Sequence, residues 1–360
     1  MRKYFLDNLR WIIILLLFPF HTFRIYSFEN FYIHGPPNII LFDFIVFLAP
    51  WFMSLLFVIA GISTYYSLKK RTPKEYLKER LFRLFIPFVS GLVLLVPIQT
   101  FFAEKFHLGY TGSYFSQLIT FFTKFGDLSG YTGGFTPGHL WFILYLFIIS
   151  IIALPIIILY KNSSIKLNFD KINIIRIIPL FLIFWIMSDI LDIGGESLGA
   201  YFALFMIGYF ILFSDKIQQS LEKYKWYFVS IFLICSIINL MVMVPFIFSL
   251  LPDYYWVIDI LYGLFSAFLS WAAILSLMGL GNKYLNFHNK WTEYFTKASY
   301  TIYIFHQTWI VIVAYYTLLL ISSFILQIIV ILFGSFILTI ISYEIVKRSK
   351  LTRFLFGIKE

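Results

Sequence analysis

Cysteine is almost absent from this chain: one residue in 360, Cys235, set in an apolar run. No intrachain disulfide can form, and no Cys/His spacing for zinc surrounds it. Charge is scarce as well, at 13% Asp, Glu, Lys and Arg against 61% hydrophobic residues. A soluble domain of this length could not hide so much apolar surface in one core. Linkers of meaningful length and internal repeats are missing too, and the missing repeat counts against the common secondary-transporter folds. No Gly-rich phosphate loop and no nucleophile elbow occurs, which removes the usual signatures of P-loop and α/β-hydrolase chemistry.

What is present is a series of apolar runs, each of roughly 20 residues, from end to end, the mark of a polytopic membrane protein. Ten segments can be placed, near 10–28, 39–68, 84–103, 139–160, 174–191, 198–214, 226–248, 255–280, 298–320 and 324–346. The second exceeds one span, so it is expected to tilt or to project beyond the bilayer. The first follows Arg2 and Lys3 and lacks a small-residue cleavage site, which reads as a retained helix rather than a signal peptide. The 45 Phe and 25 Tyr suit lipid-facing surfaces and interfacial belts.

The net charge of +10 is not spread as a nucleic-acid footprint. Bases collect in alternate loops: Lys69, Lys70, Arg71, Lys74, Lys78, Arg80 and Arg83; Lys161, Lys166, Lys171 and Arg176; Lys283, Lys290 and Lys297; and the C-terminal Lys347, Arg348, Lys350 and Arg353. The intervening loops carry Glu29, Glu104, Asp127, Asp189, Asp192, Glu196 and Asp253. By the positive-inside rule both termini are cytoplasmic and the helix count is even. The expected fold is therefore all-α, a polytopic integral membrane protein of about ten transmembrane helices, with residues 1–360 forming a single membrane domain and no nucleic-acid partner. The longest outer loop, near 104–138, reads as a folded surface loop or lid.

Two polar residues interrupt the first segment. Arg10 and His21 lie eleven residues apart, which at about 100° per residue returns a helix to nearly the same face. They share a stripe with an axial separation of about 16.5 Å, so that Arg10 stands at the cytoplasmic surface and His21 near midplane. A titratable group at that depth is a functional-site hypothesis by default. Pro19, just before His21, loosens the local backbone hydrogen bonding. A neutral imidazole there can accept a proton from a hydroxyl, as a general base for acyl transfer; the plain alternative is a buried histidine bonded to a neighbouring helix.

Arg10 alone reads as a surface anchor, paired with Asp7 three residues earlier. Arg80 and Arg83, spaced i and i+3 before the third segment, share a helix face on which two guanidinium groups can hold phosphates, or they simply mark topology. Three arginines at the cytoplasmic surface can bind the phosphates of a nucleotide-like cofactor whose thin acyl-carrying arm reaches inward to His21.

Arg10-x10-His21 in the first helix, Arg80-x-x-Arg83 before the third, His139-Leu-Trp-Phe opening the fourth and SYTIYIFHQ at 299–307 together resemble acyltransferase family 3. These are integral-membrane acyltransferases that modify carbohydrates and other acceptors. The resemblance covers essentially the whole chain in order, and the Arg-x10-His element is its most specific part. The phrase GHLWFILYLFIIS further resembles the branch that includes the periplasmic-glucan succinyltransferase.

The resemblance implies His21 as the catalytic histidine, Arg10 as its essential partner, and Arg80 and Arg83 on the acyl-CoA side. It implies acetyl-CoA or succinyl-CoA as donor without a metal, a carbohydrate or other hydroxyl acceptor, and the bacterial cytoplasmic membrane as location. Family members often carry an extra extracytoplasmic hydrolase-like domain. None is read here, so transfer falls to the membrane domain or to a separate envelope-biosynthesis partner.

Weaker candidates surround this set. His139 and Trp141 open the fourth helix at the outer face, where a Trp commonly serves as an anchor. His306 lies at a depth close to that of His21, lining the same cavity or packing. Asp43 and Asp259 sit in apolar stretches near the outer leaflet, where either can orient His21, bind acceptor hydroxyls, or simply be paired or snorkelling. His34, His107 and His288 fall in loops and receive no role. The rival from another class is a transporter or flippase of a lipid-linked saccharide or polymer, its path lined by the same residues; a structural partner in an envelope complex is a third.

Overall fold

A single helix, α1 (Tyr4–Arg24), carries both Arg10 and His21, with Pro19 inside it. This computed structural model describes residues 3–126, 128–164, 173–193, 195–243 and 255–358. Asp127, Lys166, Lys171 and Asp253 of the topology argument, and the end of the 226–248 segment, lie outside them.

Past α1, the Gly-Pro-Pro stretch folds back, with Gly35 N–H donating to Ile25 O and Asn38 N–H to Tyr26 O, both at 2.8 Å. The Asn38 side-chain oxygen then accepts from the N–H groups of Ile40 and Leu41, capping α2 (Ile39–Leu48). Pro50, which has no N–H to donate, separates α2 from α3 (Phe52–Leu68). Next come α4 (Pro73–Arg80), one π-helical turn over Leu81–Phe85, α5 (Ile86–Leu94) and α6 (Val96–Leu108). Gly109, at φ +63°, ends α6 in the left-handed conformation that a Cβ disfavours.

The stretch near 104–138 holds α7 (Tyr114–Thr123), capped by the Ser113 hydroxyl, as expected of a folded segment. A 3-10 turn, Gly138–Leu140, leads into α8 (Trp141–Asn162). Then follow α9 (Ile174–Ile177), α10 (Phe181–Ile186), α11 (Leu198–Ile207), α12 (Asp215–Lys223), α13 (Lys225–Ile238), α14 (Tyr255–Tyr284), α15 (Lys290–Leu320), α16 (Phe324–Val346) and α17 (Lys350–Leu355). Among the described residues the only strands are β1 (Asp192–Ile193) and β2 (Glu196–Ser197), a two-residue antiparallel pair before α11.

Eight helices among the described residues are long and apolar enough to cross a membrane, and Leu198–Leu212 with Asp215–Lys223, bent by 97°, would make a ninth. The protein is all-α and polytopic. The segment read as 174–191 is the shorter apolar helix Ile174–Ile186, interrupted by a 3-10 turn at Ile178–Leu180 that carries Pro179. Of the segment read as 198–214, the helix is followed by the sharp bend before α12.

The chain divides into two compact units. One comprises Met1–Arg10, Val46–Leu77 and Ile148–Asn289. There α3 and α11 approach backbone to backbone: a Cβ at Gly61 would meet Phe205 O at 2.0 Å, and one at Gly208 would meet Val58 O at 2.4 Å. Small residues at such crossings let van der Waals packing replace the hydrophobic effect, which lipid does not supply between helices. The other unit comprises Trp11–Ile45, Lys78–Phe147 and Lys290–Glu360. It is built on α15, packed against α16 and α6, with α7 laid on α6.

Candidate active site

Three histidines from three separate stretches of the second unit meet ring to ring. The His21 ring lies 5.2 Å, centroid to centroid, from that of His306, which lies 5.1 Å from that of His139. All three are buried, His306 completely. Each arrives by local structure: His21 near the end of α1, His306 in the middle of α15, His139 on the 3-10 turn before α8. Gly138 takes φ +52°, a left-handed conformation that a glycine adopts without steric cost and that sets the approach of His139.

Hydrogen bonding assigns the tautomers. His306 Nδ1 faces Tyr303 O at 2.6 Å and His139 Nε2 faces Ile304 O at 2.9 Å. A carbonyl only accepts, so in the neutral rings those nitrogens carry the protons. His139 Nδ1 then accepts from Gln99 Nε2 at 3.4 Å, and the same amide donates to Thr308 Oγ1 at 2.8 Å. Gln307 Nε2 donates to Gln99 Oε1 at 3.2 Å, and the Tyr303 hydroxyl donates to His139 O. His139 is thus fully engaged as a strut between α6 and α15.

The other two rings differ. His306 Nε2 and His21 Nδ1 are buried with no hydrogen-bond partner among the described residues. Buried polar atoms are nearly always satisfied, and an exception marks a place for a ligand, water or chemistry. Apolar faces enclose them: Phe31 stacks on His21 at 5.9 Å and 14°, while Phe18 meets His306 edge-on at 5.9 Å. The Arg24 guanidinium lies 5.5 Å above the same Phe31 ring and pairs with Glu29 at 3.3 Å.

The remaining sequence candidates fall in several places. Arg83 sits in the π-helical turn, paired with Glu79 at 3.4 Å, and Arg80 directly precedes that turn. Such turns recur at functional sites. Tyr300 on α15 lies within electrostatic reach of both arginines, and its hydroxyl is buried without a hydrogen-bond partner among the described residues. Trp141 packs edge-on against Tyr145, one turn further along α8. Asp43 is half-buried on α2. In the other unit, Arg10 donates to Asp7 at 3.3 Å and Ser63 Oγ at 2.9 Å, the Asp7 pairing read from spacing; Asp259 is exposed on α14. Among the described residues no group of three or more His, Cys, Asp or Glu is arranged to hold a metal ion.

Sequence reasoning passed over Gln99, Gln307, Thr308 and Arg24. A signal existed for the first three, since a Gln-Thr pair after Pro97 and a His-Gln-Thr run at 306–308 both interrupt apolar helices. The loop histidines also have structural roles. His34 Nε2 accepts from Phe31 N–H at 3.1 Å and His107 Nε2–H donates to Phe31 O at 2.9 Å, so the two clamp one backbone residue. His288 stacks on Tyr4 at 4.9 Å.

A family model described as an acyltransferase domain, acyltransferase family 3, matches residues 3–344. The chain belongs to that family. It is similar to glucans biosynthesis protein C of Salmonella paratyphi B, 25% identical over 385 residues that cover 99% of this chain and 94% of that protein. The protein of the same name from Shigella dysenteriae serotype 1 is 26% identical over 383 residues, with the same coverage. No solved structure matches. With its apolar helices, the chain is a multi-pass membrane acyltransferase.

Proposed function

We propose that this membrane acyltransferase takes an acetyl or succinyl group from acyl-CoA on the cytoplasmic side. It passes the group to a hydroxyl of an envelope carbohydrate, with the chain as a single membrane acyltransferase domain in the bacterial cytoplasmic membrane. The observation that carries the reading is the buried imidazole pair of His21 and His306, each with one nitrogen unpartnered among the described residues. Arg80 and Arg83, with bidentate guanidinium donors, bind donor phosphates, and Arg10 is assigned to the same ligand by its place in the Arg-x10-His motif. The basic loops support a cytoplasmic position for this end. A glucan is the acceptor of choice because the curated relatives are named for glucan biosynthesis.

In the reaction the acceptor oxygen forms its bond to the acyl carbon, the carbon–sulfur bond breaks, and the hydroxyl proton passes through histidine to the departing thiolate. His21 acts either as the base or as a transient acyl carrier, in which case its nitrogen bonds the acyl carbon first.

The test is purified protein in liposomes with acetyl-CoA or succinyl-CoA and a glucan oligosaccharide. Ester-linked acyl groups on the glucan, with stoichiometric free thiol, are expected. Movement of a lipid-linked saccharide with no thioester consumed would replace this reading by the flippase.

A further inference from the structure

The two unpartnered imidazoles are not equivalent. His21 is not held by any carbonyl among the described residues, and its Nδ1 faces no hydrogen-bond partner among them. His306 is held: its Nδ1–H is committed to Tyr303 O at 2.6 Å, one turn back on the same helix, so the ring can neither rotate nor change tautomer without breaking that bond. Its lone pair therefore stays on Nε2, buried and unpartnered, between the rings of His21 and His139. This is the arrangement that a general base requires: one nitrogen oriented by a fixed acceptor, the other free to take a proton. His139, with both nitrogens engaged, cannot serve without dismantling the Gln99 network.

We propose that His306 Nε2, in place of His21, is the catalytic base that removes the proton from the acceptor hydroxyl, so that of the two parts offered to His21 above the base passes to His306; the role rests on the acyl-transfer reading. The acceptor O–H bond gives up its proton to Nε2 as the oxygen forms its bond to the acyl carbon. The acyl carbon releases its leaving group with the bonding pair. That group is the donor thiolate if His21 only polarises or orients, or the His21 nitrogen if His21 carries the acyl group. The imidazolium of His306 then returns its proton to the thiolate, leaving thiol and ester, with atoms and charge balanced. His21 is thereby left to face the donor acyl group, and the two orphaned nitrogens take the two sides of one reaction.

His306→Asn is the informative variant, because its side-chain amide can still donate to Tyr303 O while the Nε2 lone pair is gone; His306→Gln is the companion should Asn fail to fold. In liposomes with succinyl-CoA or acetyl-CoA, transfer to a glucan hydroxyl should fall by about 10²- to 10⁴-fold in kcat, with the donor KM little changed and the melting temperature close to wild type. Transfer to hydroxylamine, a nucleophile that attacks without prior loss of a proton, should survive within about tenfold of wild type, because it bypasses the base.

Equal loss with both nucleophiles in a folded variant would return His306 to packing. Near-wild-type transfer to the glucan in either folded variant would also overturn the proposal. If the wild-type protein itself transfers to neither nucleophile, the acyl-transfer reading fails and the assignment of His306 falls with it.

Discussion

Two pairs of histidines stand in the same unit at nearly the same ring separation, and they are put to opposite uses. His34 and His107 lie 5.5 Å apart, and each spends its Nε2 on the backbone of Phe31, one accepting from the N–H and one donating to the carbonyl. His21 and His306 lie 5.2 Å apart, and each keeps one nitrogen unpartnered among the described residues. Proximity of imidazoles therefore says little by itself; what separates the clamp from the proposed reaction centre is whether the ring nitrogen has a hydrogen-bond partner. The pairs are also linked in space, because the residue held by the outer pair is the one whose ring stacks on His21.

The sharpest way to break the comparison is to remove the inner ring. His21→Gln should lower acyl transfer by about 10²- to 10⁴-fold or more while the protein still inserts and melts cooperatively. Turnover near wild type in the folded variant would erase the distinction between the pairs. Next in size is the donor end. Arg80→Ala/Arg83→Ala should raise the donor Kd by about 10- to 100-fold, two charge-assisted contacts being lost, with glucan affinity unchanged. An unaltered Kd by calorimetry would make both arginines topology markers.

The strut between α6 and α15 comes third. Gln99→Leu leaves His139 Nδ1 and the Gln307 amide without a partner, at a cost of about 1–3 kcal/mol. A drop in melting temperature with only a modest loss of kcat is expected; a loss matching that of His21→Gln would move Gln99 into the chemistry.

The outer pair should give the smallest effect, and it carries a pH signature. Burial, and then the neighbouring His107, hold His34 below the ordinary histidine value. A group with a depressed folded pKa resists charging, so its stabilisation is complete above the unfolded value of about 6.5 and is lost as pH falls through the folded value. His34→Gln should flatten that acid-side decline in melting temperature and change turnover at pH 7 by no more than a few-fold. A decline as steep as wild type would assign it to other groups.

The fold class and the first-helix motif were legible because both depend on local pattern: apolar runs of about 20 residues, and an eleven-residue spacing within one helix. His306 was read at a depth close to that of His21, with a shared cavity or mere packing both left open, because depth does not say which helices face one another; the rings lie 5.2 Å apart. Gln99 illustrates the limit. It lies 40 positions from His139 and 209 from Thr308, and only the packing of α6 on α15 makes it the hub of a network.

Gly138 has a consequence for how this protein tolerates change. Its backbone, at φ +52°, lies where a side chain is conformationally disfavoured by about 1–2 kcal/mol, although an added Cβ would meet nothing nearer than 3.4 Å. A saturation-mutagenesis map should therefore record an intolerant position with room around it, next to His139. Such a position would be mistaken for a binding residue by anyone reading fitness alone; the constraint there belongs to the backbone and reaches the imidazole chain through the geometry of one turn.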